Sequence, residues 1–87
     1  TRREGFMDDI TYEAVIEMLQ DIEEDIDYEN VTDLVDAKRI DSFDIIAIVN
    51  AADEEFDVTI PAAEIVPQNF NSARALFELI KRLADED

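Results

Sequence analysis

Apolar residues recur every three or four positions in three long stretches of the chain, and this spacing predicts three amphipathic helices. The predicted helices span residues 8–25, 42–56 and about 72–84. The positions expected to face a common core are Tyr12, Val15, Leu19, Ile22, Ile26, Ile45, Ile48, Val49, Ala52, Phe56, Ala73, Leu76, Phe77, Ile80 and Leu83. Only residues 57–60 have an extended, strand-like pattern. The sequence therefore predicts an all-α fold.

A short fourth helix is predicted at residues 62–65, between the second and third long helices. Pro61 suits its first turn, because proline lacks the N–H group that would stay unpaired there. Val66 and Pro67 are expected to end this helix, since the residue before a proline is disfavoured in the helical conformation.

The connection formed by residues 27–40 is acidic, and the spacing of the carboxylates in and just before it suggests calcium binding as an alternative function. Five carboxylates occupy positions of a calcium-loop frame, namely Asp25, Asp27, Glu29, Asp33 and Asp36. Asn30 stands where that frame requires glycine, and the last position is aspartate rather than the longer glutamate that clasps the ion. A calcium-binding module is therefore only a distant alternative. Leu34 and Val35 are expected to anchor this connection against the core.

Composition narrows the functions that the chain can perform. The 24 acidic and 7 basic residues give a net charge of −17, which disfavours nucleic acids and anionic membranes and favours partners with basic docking patches. The chain has no cysteine and no histidine, so it lacks thiolate ligands and the commonest general base. We expect a monomer that is not an enzyme and has no metal site of its own. The sequence shows neither a membrane span nor a signal peptide, which predicts a cytoplasmic location.

The first six residues are interpreted as an N-terminal extension that is not part of the fold. They hold two of the few basic residues and the only glycine. Met7 is a candidate natural start, with residues 1–6 as a candidate cloning remnant. The rest of the chain, 7–87, is short enough to form one small domain.

Ser42 stands where the acidic connection changes into the pattern of the second long helix. It follows Asp41 and lies at or beside the helix N-cap, a position that suits hydroxyl side chains. Unpaired backbone N–H groups and the positive end of the helix dipole favour an anion at such a site, so a phosphate ester on Ser42 would be well placed. Lys38 and Arg39 precede it, and they serve solubility, lie near that phosphate or neutralise nearby carboxylates. On this local pattern alone, a simple cap is the more common role.

The order of several motifs resembles that of the acyl carrier protein family. Between about residues 10 and 83, the motifs are Asp41-Ser42-Phe43 opening a helix, Glu54-Glu55-Phe56 closing it, Val58-Thr59-Ile60-Pro61, and Asn69-Phe70-Asn71-Ser72 before the last helix. No single motif is specific, but their order and spacing over most of the chain are. The resemblance implies a small four-helix bundle of acyl-carrier type and a covalent 4′-phosphopantetheine cofactor on Ser42. It also implies a role in fatty acid biosynthesis or related lipid metabolism.

The resemblance further implies that the protein is a substrate and partner of enzymes. A phosphopantetheinyl transferase would move the arm from coenzyme A onto Ser42, with Asp41 and Asp44 helping to position a metal ion held by the transferase complex, or the transferase itself. Enzymes that load and transfer acyl or aminoacyl groups would then dock on the same helix. The implied docking residues are Phe43, Asp44, Ile46, Asn50, Asp53 and Glu54. For Phe43 and Ile46, which share a side of the helix with Ser42, packing in the core is the alternative.

Some residues depart from the usual pattern of the family. Phe43 follows the serine where leucine is usual, and Ala47 and Asn50 stand where glutamate and methionine are common. These departures point to a specialised pathway. An aminoacyl carrier of the D-alanyl or peptidyl type therefore stays open as an alternative.

Overall fold

The computed structural model describes residues 10–86, apart from the side chain of Glu86. Within that range the protein is all-helical and has no strand, which confirms the predicted fold class. The helices are α1 (Tyr12–Ile22), α2 (Ser42–Phe56), α3 (Pro67–Phe70) and α4 (Ala73–Glu86), with a 3₁₀ helix at Ala62–Glu64 before α3. The predicted extension 1–6, the candidate start at Met7 and the first two residues of the predicted helix 8–25 lie outside the described residues.

Helix α1 is shorter than the predicted helix at both of its described ends. Ile10 and Thr11 are not helical, because Thr11 is the N-cap and its Oγ1 accepts a hydrogen bond from the N–H of Ala14 at 3.1 Å. At the other end the chain leaves the helix at Glu23. Buried Tyr28 covers this end, with its hydroxyl 2.6 Å from the carbonyl oxygen of Glu23. Burial raises the pKa of Tyr28 to about 12.

Helix α2 begins and ends at the predicted residues. Asp57 ends it by adopting the left-handed conformation, with φ of 58°. This turn lets the N–H of Asp57 reach the carbonyl of Asp53 at 3.1 Å and the N–H of Val58 reach that of Ala52 at 3.3 Å. Aspartate is one of the few residues other than glycine that accept this conformation readily.

The segment between α2 and α4 differs from the prediction. The helix expected at 62–65 is a single 3₁₀ turn at Ala62–Glu64, and Pro61 flanks it rather than lying in its first turn. The short helix ends before Val66 as predicted, because Val66 is extended with φ of −129°. Pro67, however, is the first residue of a further short helix, α3, which the sequence pattern does not predict. Proline suits that position because its fixed φ is helical and its missing N–H would have had no helical partner.

The core lies where α1 packs against α2 and α4, while α3 packs against α4. The buried apolar residues are Ile10, Val15, Ile16, Met18, Leu19, Tyr28, Leu34, Ile40, Ile48, Ala52, Phe56, Val58, Ile60, Phe70, Ala73, Leu76, Leu79 and Ile80. The predicted core residues that are only half-buried are Tyr12, Ile22, Ile26, Ile45, Val49, Phe77 and Leu83. Helices α1 and α4 thus bury faces that are displaced from the stripe read from the sequence, whereas α2 buries only part of its predicted stripe, namely Ile48, Ala52 and Phe56.

The long connection before α2 is attached to the start of α4 by Asn71. The side-chain oxygen of Asn71 accepts hydrogen bonds from the N–H groups of Val35 at 2.9 Å and Asp36 at 3.0 Å. Its main-chain oxygen accepts from the N–H of Leu34 at 2.9 Å. Leu34 is buried as predicted, Val35 is half-buried, and Ile40 enters the core just before α2. These contacts determine where the chain enters the second helix.

Candidate functional site

Ser42 is the first residue of α2, and the residue that caps this helix is Asp41. The Oδ1 atom of Asp41 accepts a hydrogen bond from the N–H of Asp44 at 3.0 Å, and the Oδ2 atom of Asp44 accepts one from the N–H of Asp41 at 3.2 Å. This reciprocal pair is a capping box. Ser42 is exposed, and its hydroxyl makes no hydrogen bond to any other residue in the range 10–86. The serine is therefore available for chemistry rather than used as the cap.

Two large apolar side chains close to Ser42 are exposed. Phe43 is 79% exposed and Ile46 is 57% exposed, so core packing is not their role. Ile65, at 38%, is the next large apolar residue with substantial exposure in the described part of the chain. Apolar side chains clustered at a surface are typical of a binding surface.

A shallow cleft runs along α2 from Ser42. Its volume is about 290 Å³, and it is lined by Ser42, Ile45, Ile46, Val49, Asn50 and Ile65. Ile65 follows the 3₁₀ helix and contributes the wall opposite α2. The helical period predicts Phe43, Ile46 and Asn50 on the same side of α2 as Ser42. Ile46 and Asn50 share the cleft with Ser42, whereas Phe43 does not line it. Ser42 and Asn50 are the polar residues in this otherwise apolar lining.

The acidic residues named as docking candidates lie in two settings. Asp53 and Glu54 are exposed near the end of α2 and make no ion pair with another residue of the described range. Asp44 is half-buried, and its carboxylate takes part in the capping box. Asp44 is therefore in part a structural residue, whereas Asp53 and Glu54 are available to a partner.

Glu23 lies beside the beginning of α2, although the sequence pattern gave no reason to place it there. The neighbouring carboxylate of Asp44 raises the pKa of Glu23 above its ordinary value, by repulsion and by a shared hydrogen bond, and Asp41 and Asp25 add to the repulsion. The end of α1 thus adds negative charge to the surroundings of Ser42. No local pattern in the sequence predicts this contact, because it depends on how α1 and α2 pack against each other.

The structure does not assemble the calcium-loop frame. Asp27 accepts a hydrogen bond within its own turn at 2.7 Å, and Asp33 pairs with the Nε atom of Arg39 at 3.1 Å. Asp36 accepts from the side-chain amide of Asn71 at 3.1 Å. Residues 10–86 contain no group of three acidic side chains placed to hold a metal ion. Each of these three carboxylates therefore serves a separate local contact.

Comparisons of the chain with protein-family models, curated proteins and solved structures found no match. The fold and site define a small all-helical protein with an exposed serine at the start of a 15-residue helix. Across the described range, every helix is too short or too polar to cross a membrane.

Proposed function

We propose that this protein is an acyl carrier protein, which carries thioester-linked acyl intermediates on a 4′-phosphopantetheine arm at Ser42 and presents them to partner enzymes. The observation that carries the proposal is the exposed Ser42 hydroxyl, which has no hydrogen bond within the described residues and begins α2. The order of motifs that resembles this family and the all-helical fold support it.

The surroundings of Ser42 suit a phosphodiester that is covalently attached. The N–H groups of Ser42 and Phe43 belong to the first helical turn and have no partner among the described residues. Together with the helix dipole they favour a negative charge at this position. The carboxylates of Asp41, Asp44 and Glu23 oppose the binding of a free anion. This balance favours an anion attached through the serine oxygen over a reversibly bound one.

In the attachment step, the Oγ atom of Ser42 attacks the phosphorus of coenzyme A that bears the pantetheine. The bond from this phosphorus to the second phosphate breaks, and adenosine 3′,5′-bisphosphate leaves. The hydroxyl proton passes to a base, which we assign to the transferase because no described side chain is hydrogen-bonded to Ser42. Once bound, the group supplies a terminal thiol that forms thioesters, in a chain that has no cysteine.

The exposed side of α2 forms the proposed docking surface for partner enzymes. Its apolar part, Phe43 and Ile46, lies next to the arm, and its acidic part, Asp53 and Glu54, lies towards the end of the helix. A partner with an apolar contact beside a basic patch matches this arrangement. The net charge of −17 would speed its approach, by an amount that falls as salt increases.

The two serines of the chain provide a matched test of the attachment site. Ser72 caps α4, because its Oγ accepts a hydrogen bond from the N–H of Ala75 at 3.0 Å, whereas Ser42 caps nothing. Incubation with coenzyme A and a broad-specificity phosphopantetheinyl transferase should add the mass of one arm to the wild-type protein. Ser42→Ala should abolish this addition and leave the melting temperature nearly unchanged.

The Ser72→Ala variant is the control for that experiment. It should still gain one arm, although the loss of the cap should cost about 0.5–2 kcal/mol of stability. Absence of a mass gain in the wild-type protein, or loading of Ser42→Ala, would count against the proposal.

An aminoacyl carrier is the second candidate, and one feature of α2 favours it. Ala47 stands where the family often has the charge of a glutamate, and Asn50 stands where it often has an apolar methionine, which favours partners other than those of fatty acid synthesis. Fatty-acyl and amino-acid ligases, each tested on the protein carrying the arm, would separate the two carriers. Loading only by the fatty-acyl ligase would remove the aminoacyl candidate.

A further inference from the structure

Asn50 is a polar residue in an otherwise apolar cleft, and its side chain has no partner of its own. It is exposed and makes no hydrogen bond within the described residues. Its amide offers two donors and one acceptor to any group that enters the cleft. Ser42 and Asn50 line the same cleft, so a group attached at Ser42 enters it directly.

The spacing of these two residues matches the position of the amide groups in the proposed arm. Asn50 follows Ser42 by eight residues on one helix, which corresponds to about 12 Å along the axis. In an extended phosphopantetheine chain, about ten bonds separate the phosphorus from the second amide nitrogen, and an extended backbone of similar bonds covers about 12 Å in that number. An arm that follows α2 would therefore bring its second amide level with Asn50.

The rest of the cleft suits the part of the arm that lies between the phosphate and the amides. That part carries a dimethyl group, and the walls between Ser42 and Asn50 are formed by the side chains of Ile46, Val49 and Ile65. The volume of about 290 Å³ lies near the lower end of the range for small-molecule sites, so the cleft has room for one small group rather than for a long acyl chain as well.

We propose that Asn50 holds the arm along this cleft by hydrogen bonds to an arm amide, while Ile46 and Ile65 cover the dimethyl group. The inference rests on the proposed attachment at Ser42. It makes Asn50 a positioning residue that determines where the thiol end, and with it the cargo, leaves the protein surface. The arm then has a preferred resting position between its visits to partner enzymes.

The test is nuclear magnetic resonance on isotope-labelled protein that a transferase has loaded from unlabelled coenzyme A. Intact mass is measured first, so that attachment is known independently of where the arm lies. In the loaded wild-type protein we expect nuclear Overhauser effects from the arm to the methyl groups of Ile46 and Ile65. We also expect a shift of the Asn50 side-chain amide resonance on loading.

Two variants on the exposed side of α2 complete the test. Asn50→Leu keeps a side chain of similar size without its hydrogen bonds and should lose the Overhauser effects, with arm resonances close to those of free pantetheine. Glu54→Gln, which does not line the cleft, should retain them. A fully loaded wild-type protein without these effects, or an Asn50→Leu variant that keeps them, would overturn the inference and leave attachment at Ser42 intact. A wild-type protein that gains no mass would remove both proposals together.

Discussion

Two neighbouring residues have separate roles at the start of α2: Asp41 caps the helix, and Ser42 presents an exposed hydroxyl. A single residue often fills both roles at a helix start. The carboxylate of Asp41 pairs with the N–H of Asp44, so the hydroxyl of Ser42 does not have to satisfy the helix end. The bridging Oγ of a phosphate ester is a weaker acceptor than a hydroxyl oxygen, so a hydroxyl used as a cap would have its hydrogen bond weakened by modification. The carboxylate cap therefore allows Ser42 to be modified without loss of the helix start.

Glu23 provides a prediction about pH at the same scale. Because Asp44 raises its pKa above the ordinary value of 4.5, the folded protein binds this proton more tightly than the unfolded chain does. Stability should therefore fall as the pH rises from about 4.5 through the raised pKa. Glu23→Gln should raise the melting temperature at pH 7, and this advantage should disappear near pH 4.

The control for this prediction is Glu24→Gln, which removes the same formal charge from the exposed neighbouring residue. Melting curves of both variants at low ionic strength would make the comparison. An equal rise for both would mean that the reduction in net charge, rather than the proximity of Asp44, is responsible.

At the scale of the element, α2 has two faces that differ in burial. Ile48, Ala52 and Phe56 are buried against the rest of the bundle, whereas Phe43 and Ile46 project from the surface. The first set stabilises the fold by removing apolar area from water. The second set buries less of its apolar area on folding, and its exposure fits the proposed docking surface.

Alanine substitutions at Ile46 and Ile48 should distinguish these two faces. Ile48→Ala leaves a cavity in the core and should cost about 2–5 kcal/mol, while Ile46→Ala should change stability by less than about 0.5 kcal/mol. Denaturant unfolding measures both. If the docking proposal holds, Ile46→Ala should nevertheless slow the transfer of the arm from coenzyme A. A large loss of stability in Ile46→Ala would show that this side chain belongs to the core.

At the scale of the whole molecule, the position of Ser42 depends on contacts far from it in sequence. The connection of residues 23–41 has no regular helix, and it is held by the side chains of Leu34 and Ile40 in the core and by Asn71 at the start of α4. Because the hydrogen bonds of Asn71 join segments about 35 residues apart, they link the chain before α2 to the other side of the bundle.

Asn71→Ala should test this link. The variant loses the acceptor for the N–H groups of Val35 and Asp36 and should be less stable by about 1–3 kcal/mol. Hydrogen exchange should show faster exchange of these two amides. Asn30→Ala is the matched control, because Asn30 is exposed and bonds only to Asp27 in its own turn, so its loss should cost less. Equal losses in the two variants would argue against a special role for Asn71.

The sequence by itself determined the elements of this protein whose signals are local. The bounds of α2 follow from the helical spacing of its apolar residues and from Asp41 and Ser42 at its start, all of which are local signals. The all-α class follows from the same helical spacing along the chain. The exposure of Ser42 also agrees with its local position, since a residue at a helix start lies at the edge of the fold. Pro67 shows the limit of local rules: the chain leaves the short helix before this proline as predicted, but the proline also begins α3, which the sequence pattern does not predict.

Only the tertiary structure decided which surfaces are covered and which distant residues meet. A helical period marks Phe43 and Ile46 as one side of α2, but it does not state whether another element packs on that side; the structure leaves both exposed. The approach of Glu23 to Asp44, and the cleft between α2 and Ile65, arise from the packing of segments that are separate in sequence. Burial and such contacts are properties of the assembled bundle, and no single stretch of the chain contains them.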